Sequence, residues 1–316
     1  MNNSKKILVI VGPTATGKTD LGIYLAKKFK GEIIACDSRQ VYRDLDIGSG
    51  KLPSVNSKFK IKNSKWEVDG VNIWMYDVAD PTSQYTAFDY AQEADKVLKQ
   101  VLSRGKLPII VGGSGLYLKA ILEGFSVKSP INHKLRQKLE QLSLIDLQVK
   151  LQKLSPDKFK NLNNSDRNNP RRLIRYIEIS MYGHVSESSK YKVQSYDVLK
   201  IGLEVPRGIL NHRIDLRLDL RIKQGLIEEA QRLRKAGVSD ERLERLGLEY
   251  KYLAFHLRGV ISKPDMVKEL KNKIHQYAKR QLNWFKKDSE IHWFDITKLG
   301  YQNQLESEVK NWYYRG

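Results

Sequence analysis

Gly12-Pro13-Thr14-Ala15-Thr16-Gly17-Lys18-Thr19 has the spacing G-x-x-x-x-G-K-[ST] and lies between an apolar run and an amphipathic stretch. Residues of these types in that order hold phosphate. Glycines let backbone N–H groups converge on phosphate oxygens, and a helix N-terminus behind them adds the positive end of its dipole. Lys18 supplies a cation and Thr19 a hydroxyl that can ligate Mg²⁺. A di- or triphosphate is implied, but kinases, hydrolases and group transferases all use such a loop. A second block, Asp37-Ser38-Arg39-Gln40-Val41-Tyr42, precedes Asp46-Ile47-Gly48-Ser49-Gly50-Lys51. Asp37 directly follows a predicted strand, at the edge where ligands of open α/β sheets collect. A carboxylate there can hold Mg²⁺ through water, act as a general base, or cap the next helix. Position leaves these open.

Two arginine sets follow. Arg213, Arg217 and Arg221 recur at i,i+4 on one face of a predicted helix. Like charges in register repel, so an anion is their natural companion. The alternative is a solvated face balanced by Asp215 and Asp219, although these fall on a different stripe. Arg171, Arg172 and Arg175 follow Asn169-Pro170, an N-cap and N1 pair. They project from one side of a helix, either as phosphate contacts or as ordinary surface charge. Trp284 and Phe285 are expected to pack in the core rather than stack on bases.

These groups need a scaffold. Residues 6–11 (KILVIV) read as a buried parallel strand, 18–29 as an amphipathic helix, 32–36 and 107–111 as further strands, and 87–102 as a helix between them. Residues 60–76 alternate around Asp69-Gly70 and predict a β-hairpin. The expected fold class is α/β, a doubly wound parallel sheet of the phosphate-loop NTPase type. From about residue 130 the texture changes. Residues 135–154 and 170–181 read as charged helices joined by an Asn-rich loop at 161–169, and 198–205 returns to the sheet. Helices are expected at 208–235, 244–257 and 264–285, and a last strand at 291–294. The expected division is a catalytic core, 1–125 with 198–316, and a basic helical insertion, 126–197.

The chain has 316 residues, 56 Lys+Arg and 36 Asp+Glu, a net charge of +20. The excess is uneven: 18 basic against 13 acidic residues in 1–125, but 38 against 23 in 126–316. Such a balance favours a polyanionic partner, nucleic acid before an anionic membrane surface. The single cysteine, Cys36, excludes a disulfide framework and a cysteine-based zinc site. No apolar run approaches the roughly 20 residues of a membrane span, and the N-terminus lacks the pattern of a signal peptide. A cytoplasmic protein is expected.

The ordered set GPTATGKT, DSRQVYRDLDIGSGK, Asp77…Asp80-Pro81, VGGSGLY and NNPRRLIR resembles the tRNA dimethylallyltransferase (isopentenyltransferase) family, over nearly the whole chain. The resemblance implies prenyl transfer from dimethylallyl diphosphate to the N6 of an adenosine beside the anticodon in tRNA, with Mg²⁺. It implies that Gly12, Pro13 and Thr14–Thr19 hold the diphosphate rather than ATP, gripped by Arg217. Asp37 becomes the general base, and Asp37, Ser38, Arg39 and Gln40 touch the flipped adenine. Ser114, where the family usually has threonine, Arg136, and Arg171, Arg172, Leu173, Ile174 and Arg175 match tRNA-contacting positions, as do Arg245, Tyr250 and Lys251. The sequence departs from the family pattern at Ile73-Trp74, where bacterial members commonly carry His-His. At Glu249-Tyr250-Lys251 a carboxylate replaces the usual glycine. Competing readings are prenylation of free AMP, ADP or ATP, a nucleotide kinase, and an RNA-binding protein with a vestigial loop.

Overall fold

The computed structural model describes residues 5–52, 57–62, 65–124, 132–182 and 196–315. Contacts divide the chain into two compact units, Met1–Leu122 with Gln194–Gly316, and Glu123–Val193. The second unit thus begins and ends a few residues before the expected 126–197.

The first unit is built on β1 (Lys6–Val11), β2 (Gly31–Cys36), β3 (Phe59–Lys62), β4 (Lys65–Val68), β5 (Val71–Trp74), β6 (Leu107–Gly112), β7 (Asp197–Glu204) and β8 (Ile291–Asp295). They form one sheet of order β3-β4-β5-β2-β6-β1-β7-β8. The strands from β5 to β8 in that order pair in parallel, whereas β3, β4 and β5 pair antiparallel. Ile7–Val11 are all buried, as expected of a strand with neighbours on both sides and helices on both faces. Truncating Ile7, Leu8 or Ile10 to Ala would cost about 2–5 kcal/mol through lost burial and the cavity left behind. The expected hairpin exists, turning at Asp69-Gly70, both with positive φ. It also gains β3 and docks β5 on β2, Ile33 opposite Ile73, so it extends the main sheet.

Around the sheet run α1 (Lys18–Lys28), α2 (Ala87–Ser103), α3 (Gly115–Glu123), α9 (Arg207–Lys223), α10 (Leu226–Lys235), α11 (Asp240–Leu246), α12 (Leu248–Leu257), α13 (Lys263–Phe285) and α14 (Tyr301–Tyr314). The stretch expected as one helix at 208–235 breaks at Gly225, which takes φ +98, and that at 244–257 breaks at Gly247. The terminal helix α14 carries no start signal in the sequence; Gly300 precedes it without a side-chain cap. What matters for function is where the parallel strands end. Cys36 of β2 lies opposite Gly112 of β6, and β1 runs beside β6, so Gly12, Asp37 and Gly113 leave the sheet at one edge.

The second unit is helical: α4 (His133–Glu140), α5 (Leu144–Leu154), α6 (Pro156–Lys160), α7 (Asn164–Arg167) and α8 (Pro170–Tyr182). Its core is Leu139, Leu147, Leu151, Leu162, Leu173, Ile174 and Ile177. The helix expected over 135–154 is interrupted because Ser143 and Asp146 form a capping box that starts α5 afresh.

Candidate active site

A cleft of about 640 Å³ opens at the carboxyl edge of the sheet. Its floor is the loop between β1 and α1. Gly12 takes φ +140, and a Cβ there would lie 2.4 Å from the carbonyl oxygen of Leu203 in β7, so only glycine lets the chain turn this close to the neighbouring strand. Thr16 is buried and donates its hydroxyl to the Pro13 carbonyl at 2.9 Å. Thr14, Ala15, Gly17, Lys18 and Thr19 line the cleft. Lys18 Nζ folds back onto the Pro13 carbonyl at 2.6 Å, and the Arg217 guanidinium donates to the Thr14 hydroxyl.

Neither cation has a carboxylate ion-pair partner among the described residues, and both are electrostatically uncomfortable. Burial, then the positive charge of Arg217, lowers the Lys18 pKa to about 7, partly offset by Asp37. Burial, then Arg221, lowers that of Arg217 to about 9. A bound polyanion relieves both effects. Arg213 and Arg221 line the same cleft from α9, with Leu216 and Leu220 interleaved between them. The face read as either anion-binding or solvated therefore points into the cavity, offering guanidinium and apolar contacts side by side. Arg221 is also anchored, donating to the Gly48 carbonyl at 3.0 Å and lying 3.8 Å from Glu249.

Asp37 lines the cleft just past β2. One oxygen accepts the Arg39 backbone N–H at 2.8 Å, and the other takes no hydrogen bond from the described residues. This is a turn bond to the residue two positions on, and no helix begins between β2 and β3 among the described residues, so the expectation that Asp37 caps a helix is not met; the second oxygen is the one available to a base. Ser38 donates its backbone N–H to the Ser114 hydroxyl at 3.0 Å, which ties the turn after β2 to the turn after β6. Arg39 and Gln40 also line the cleft.

Sequence reasoning missed three residues here. Tyr277 of α13 lines the cleft, and burial together with the negative field of Asp37 pushes its phenol up to about 12. Gln281, one turn on, accepts the Thr14 N–H and donates to the Gly113 carbonyl, both at 2.9 Å. Glu229 of α10 is buried and accepts N–H groups from Asp46, Ile47 and Gly48 at 2.7–2.9 Å, and the Tyr250 hydroxyl at 2.7 Å. The signal was available. Gln281 and Glu229 are polar residues on otherwise apolar helix stripes, Ile274/Ala278/Phe285 and Leu226/Ala230/Leu233.

The family described as IPP transferase matches residues 40–288, and that described as isopentenyl transferase matches residues 5–70. The chain belongs to the IPP transferase family. It is 38% identical over 294 residues to tRNA dimethylallyltransferase 1 of Geotalea daltonii, covering 92% of this chain and 90% of that protein. It is 36% identical over 303 residues to the tRNA dimethylallyltransferase of Bacillus mycoides, covering 93% and 90%. Among solved structures, the full-length tRNA isopentenylpyrophosphate transferase of Bacillus halodurans superposes with a TM-score of 0.68 at 31% identity, covering 98% of both chains. A eukaryotic dimethylallyltransferase acting on tRNA shares the fold, with a TM-score of 0.73 at 24% identity.

The two departures from the IPP transferase pattern are accommodated locally. Trp74 donates its indole N–H to Glu32 at 2.6 Å, and Glu249 faces Arg221. Several residues matched to RNA-contacting positions are, however, otherwise engaged. Tyr250 is wholly buried, its hydroxyl on Glu229, so its ring supports the 46–48 loop instead of reaching RNA. Leu173 and Ile174 belong to the core of the helical unit and have no surface to offer. Arg136 makes a two-pronged bond to buried Glu178, at 2.7 and 2.6 Å, and Arg175 joins it at 3.1 Å. Arg172 pairs with Asp166. Arg171, Arg245 and Lys251 are exposed. Phe285 is core as expected, but Trp284 is 45% exposed, against expectation.

Proposed function

We propose that the protein transfers a dimethylallyl group from dimethylallyl diphosphate to N6 of adenosine 37, beside the anticodon of tRNA, releasing diphosphate. As an IPP transferase it is a prenyl-transferring enzyme. The observation that carries the reading is one cleft with three surfaces. It holds a phosphate loop whose Lys18 has no carboxylate partner among the described residues, an α9 face alternating arginine with leucine, and a carboxylate, Asp37, with one oxygen that takes no hydrogen bond from them. A nucleotide kinase has no use for the leucines beside its phosphates; a prenyl diphosphate is charged at one end and apolar at the other.

In the reaction the N6 lone pair forms a bond to C1 of the donor while the C1–O bond breaks and its electron pair leaves on the diphosphate. An aromatic amine is a weak nucleophile, so the free oxygen of Asp37 takes the N6 proton as bonding develops, a role worth about 10²–10⁴ in rate. Charge grows on the diphosphate, where the loop N–H groups, Lys18 and Arg217 stabilise it. Mg²⁺ fits this donor set: the Thr19 hydroxyl, and Asp37 through water, suit an ion that draws most of its ligands from substrate phosphates and water. Among the described residues no cluster of three or more His, Cys, Asp or Glu could hold it alone. When bound, the ion supplies further charge neutralisation on the leaving group. The adenine must leave its stack to reach the cleft, which a single-stranded loop makes cheap. We assign RNA phosphate contacts to the exposed basic residues of the helical unit, Arg171 first.

The test is direct. Purified protein, Mg²⁺, dimethylallyl diphosphate and unmodified tRNA with an A-A-A run are mixed, and the digested nucleosides weighed. Prenylated adenosine that disappears in Lys18→Ala is the expected result. Turnover on AMP but not on tRNA would reassign the acceptor, and failure to bind the prenyl diphosphate would end the reading.

A further inference from the structure

The inference rests on the reading of tRNA as acceptor and concerns how the RNA is held once its adenosine has left the stack. Helix α13 presents Ile274, Tyr277 and Gln281 to the cleft at spacings of three and four residues. The next position on that stripe is Trp284. It lies past the rim, and nearly half its surface is open to solvent. Its ring sits directly on Gly115, where a Cβ would lie 1.9 Å from the indole Nε1. Gly115 follows Ser114, whose hydroxyl holds the Ser38 backbone next to Asp37. One turn back, Gln281 bridges Gly113 and Thr14 and so fixes the helix against both turns. A large aromatic face is therefore held, half in water, against the turn after β6 that is hydrogen-bonded to the turn carrying Asp37. Exposed Arg280 lies one turn before it on α13, and exposed Lys287 follows three residues after it, just past the helix end at Phe285.

An aromatic platform flanked by cations is the arrangement that holds single-stranded nucleic acid, base on ring and phosphate on cation. We propose that the exposed face of Trp284 stacks an unpaired base of the acceptor RNA adjacent to the reacting adenosine, filling the gap that flipping leaves in the stack. Leucine would cover Gly115 equally well, so the packing alone does not call for an aromatic ring.

The experiment measures binding of an anticodon stem-loop to the full-length protein without prenyl donor, so it does not depend on turnover. Trp284→Ala and Trp284→Leu are each expected to weaken binding about tenfold, the effect of losing one stacked base. Trp284→Phe restores most of it, and thermal unfolding confirms that all three fold. Stem-loops with a single abasic site on either side of the target then identify the partner. At one site the loss seen with wild type should vanish in Trp284→Leu, because the same stack has already been removed. Binding unchanged in Trp284→Leu, or losses that simply add at both abasic sites, would overturn the platform. Normal binding differences without prenylation would instead sink the proposed reaction while leaving the platform standing.

Discussion

The cleft and the helical unit hold their cations in opposite ways. In the cleft, Lys18 and Arg217 rest on a carbonyl and a hydroxyl and have no carboxylate ion-pair partner among the described residues. In the helical unit, Arg136 and Arg175 converge on Glu178, and Arg172 meets Asp166. In the sequence the arginines at the heart of each set look alike, Arg213, Arg217 and Arg221 on one helix and Arg171, Arg172 and Arg175 on another. The difference is that like charges buried together without a counter-ion cost free energy unless a ligand supplies the anion, whereas a bidentate arginine on a buried carboxylate is already satisfied. The first set is the one a bound anion would complete, as the proposed function requires. The second chiefly holds together a unit whose core, among the described residues, is seven side chains.

The sharpest way to break this contrast is to remove a group from each side. Lys18→Ala should lower turnover by at least about 10²–10³, the range for losing one stabiliser of a developing anion. Asp37→Asn should fall within about 10²–10⁴, both with RNA binding preserved. Arg136→Ala should do the reverse, with little direct effect on chemistry but about 3 kcal/mol less stability in the helical unit, since Glu178 is left buried with only Arg175. Hydrogen exchange across 132–182 reads that loss. If Arg136→Ala instead left exchange unchanged and abolished RNA binding, its guanidinium would be a ligand group like Arg217, and the contrast would collapse. Arg171→Ala supplies the complement: no change in exchange, and a salt dependence of RNA binding shallower by about one ion.

Titration separates the two regions more finely. Burial in the folded protein lowers the Lys18 pKa to about 7, from the 10.5 of a free lysine side chain. Between those values the unfolded chain binds a proton that the folded one does not, so stability rises with pH across the window, and the penalty is complete below about 7. Lys18→Met should flatten that slope and raise stability at neutral pH. Inorganic diphosphate should restore the charged form, so binding near pH 8 takes up one proton more in wild type than in Lys18→Met, measurable by calorimetry in buffers of different ionisation enthalpy.

The fold and the reactive groups were legible to different depths. Apolar runs such as 6–11 and the G-x-x-x-x-G-K-T spacing are local signals, and the strands, the loop and Asp37 appear where they were expected. Helix breaks at Gly225 and Gly247 were less visible, because a glycine within an amphipathic stretch reads equally as tolerated or terminal. Least visible were the partners of polar groups. Nothing local says that Glu178 will meet Arg136 from 42 residues away, or that Gln281 will bridge a loop 267 residues earlier. A polar residue on an apolar stripe announces that it has a partner without naming it. Trp284 was misread because helical spacing predicts which stripe a residue joins, and not where along that stripe the helix runs out from under its neighbours.

Tyr250 gives the smallest effect and the cleanest distinction. As an RNA contact, its loss would weaken tRNA binding; buried on Glu229, it belongs to the support of the 46–48 loop. Tyr250→Phe keeps the ring and removes only the hydroxyl, leaving Glu229 with its three backbone N–H donors. The expected cost is about 1 kcal/mol of stability, one net hydrogen bond, with the KM for tRNA unchanged. Glu229→Ala should cost more, because three buried N–H groups would lose their acceptor at once, and it should raise the KM for the prenyl diphosphate as Ile47 and Gly48 shift in the cleft wall. A rise in the tRNA KM of Tyr250→Phe, with stability intact, would return this tyrosine to the RNA interface and show that the loop opens to release it.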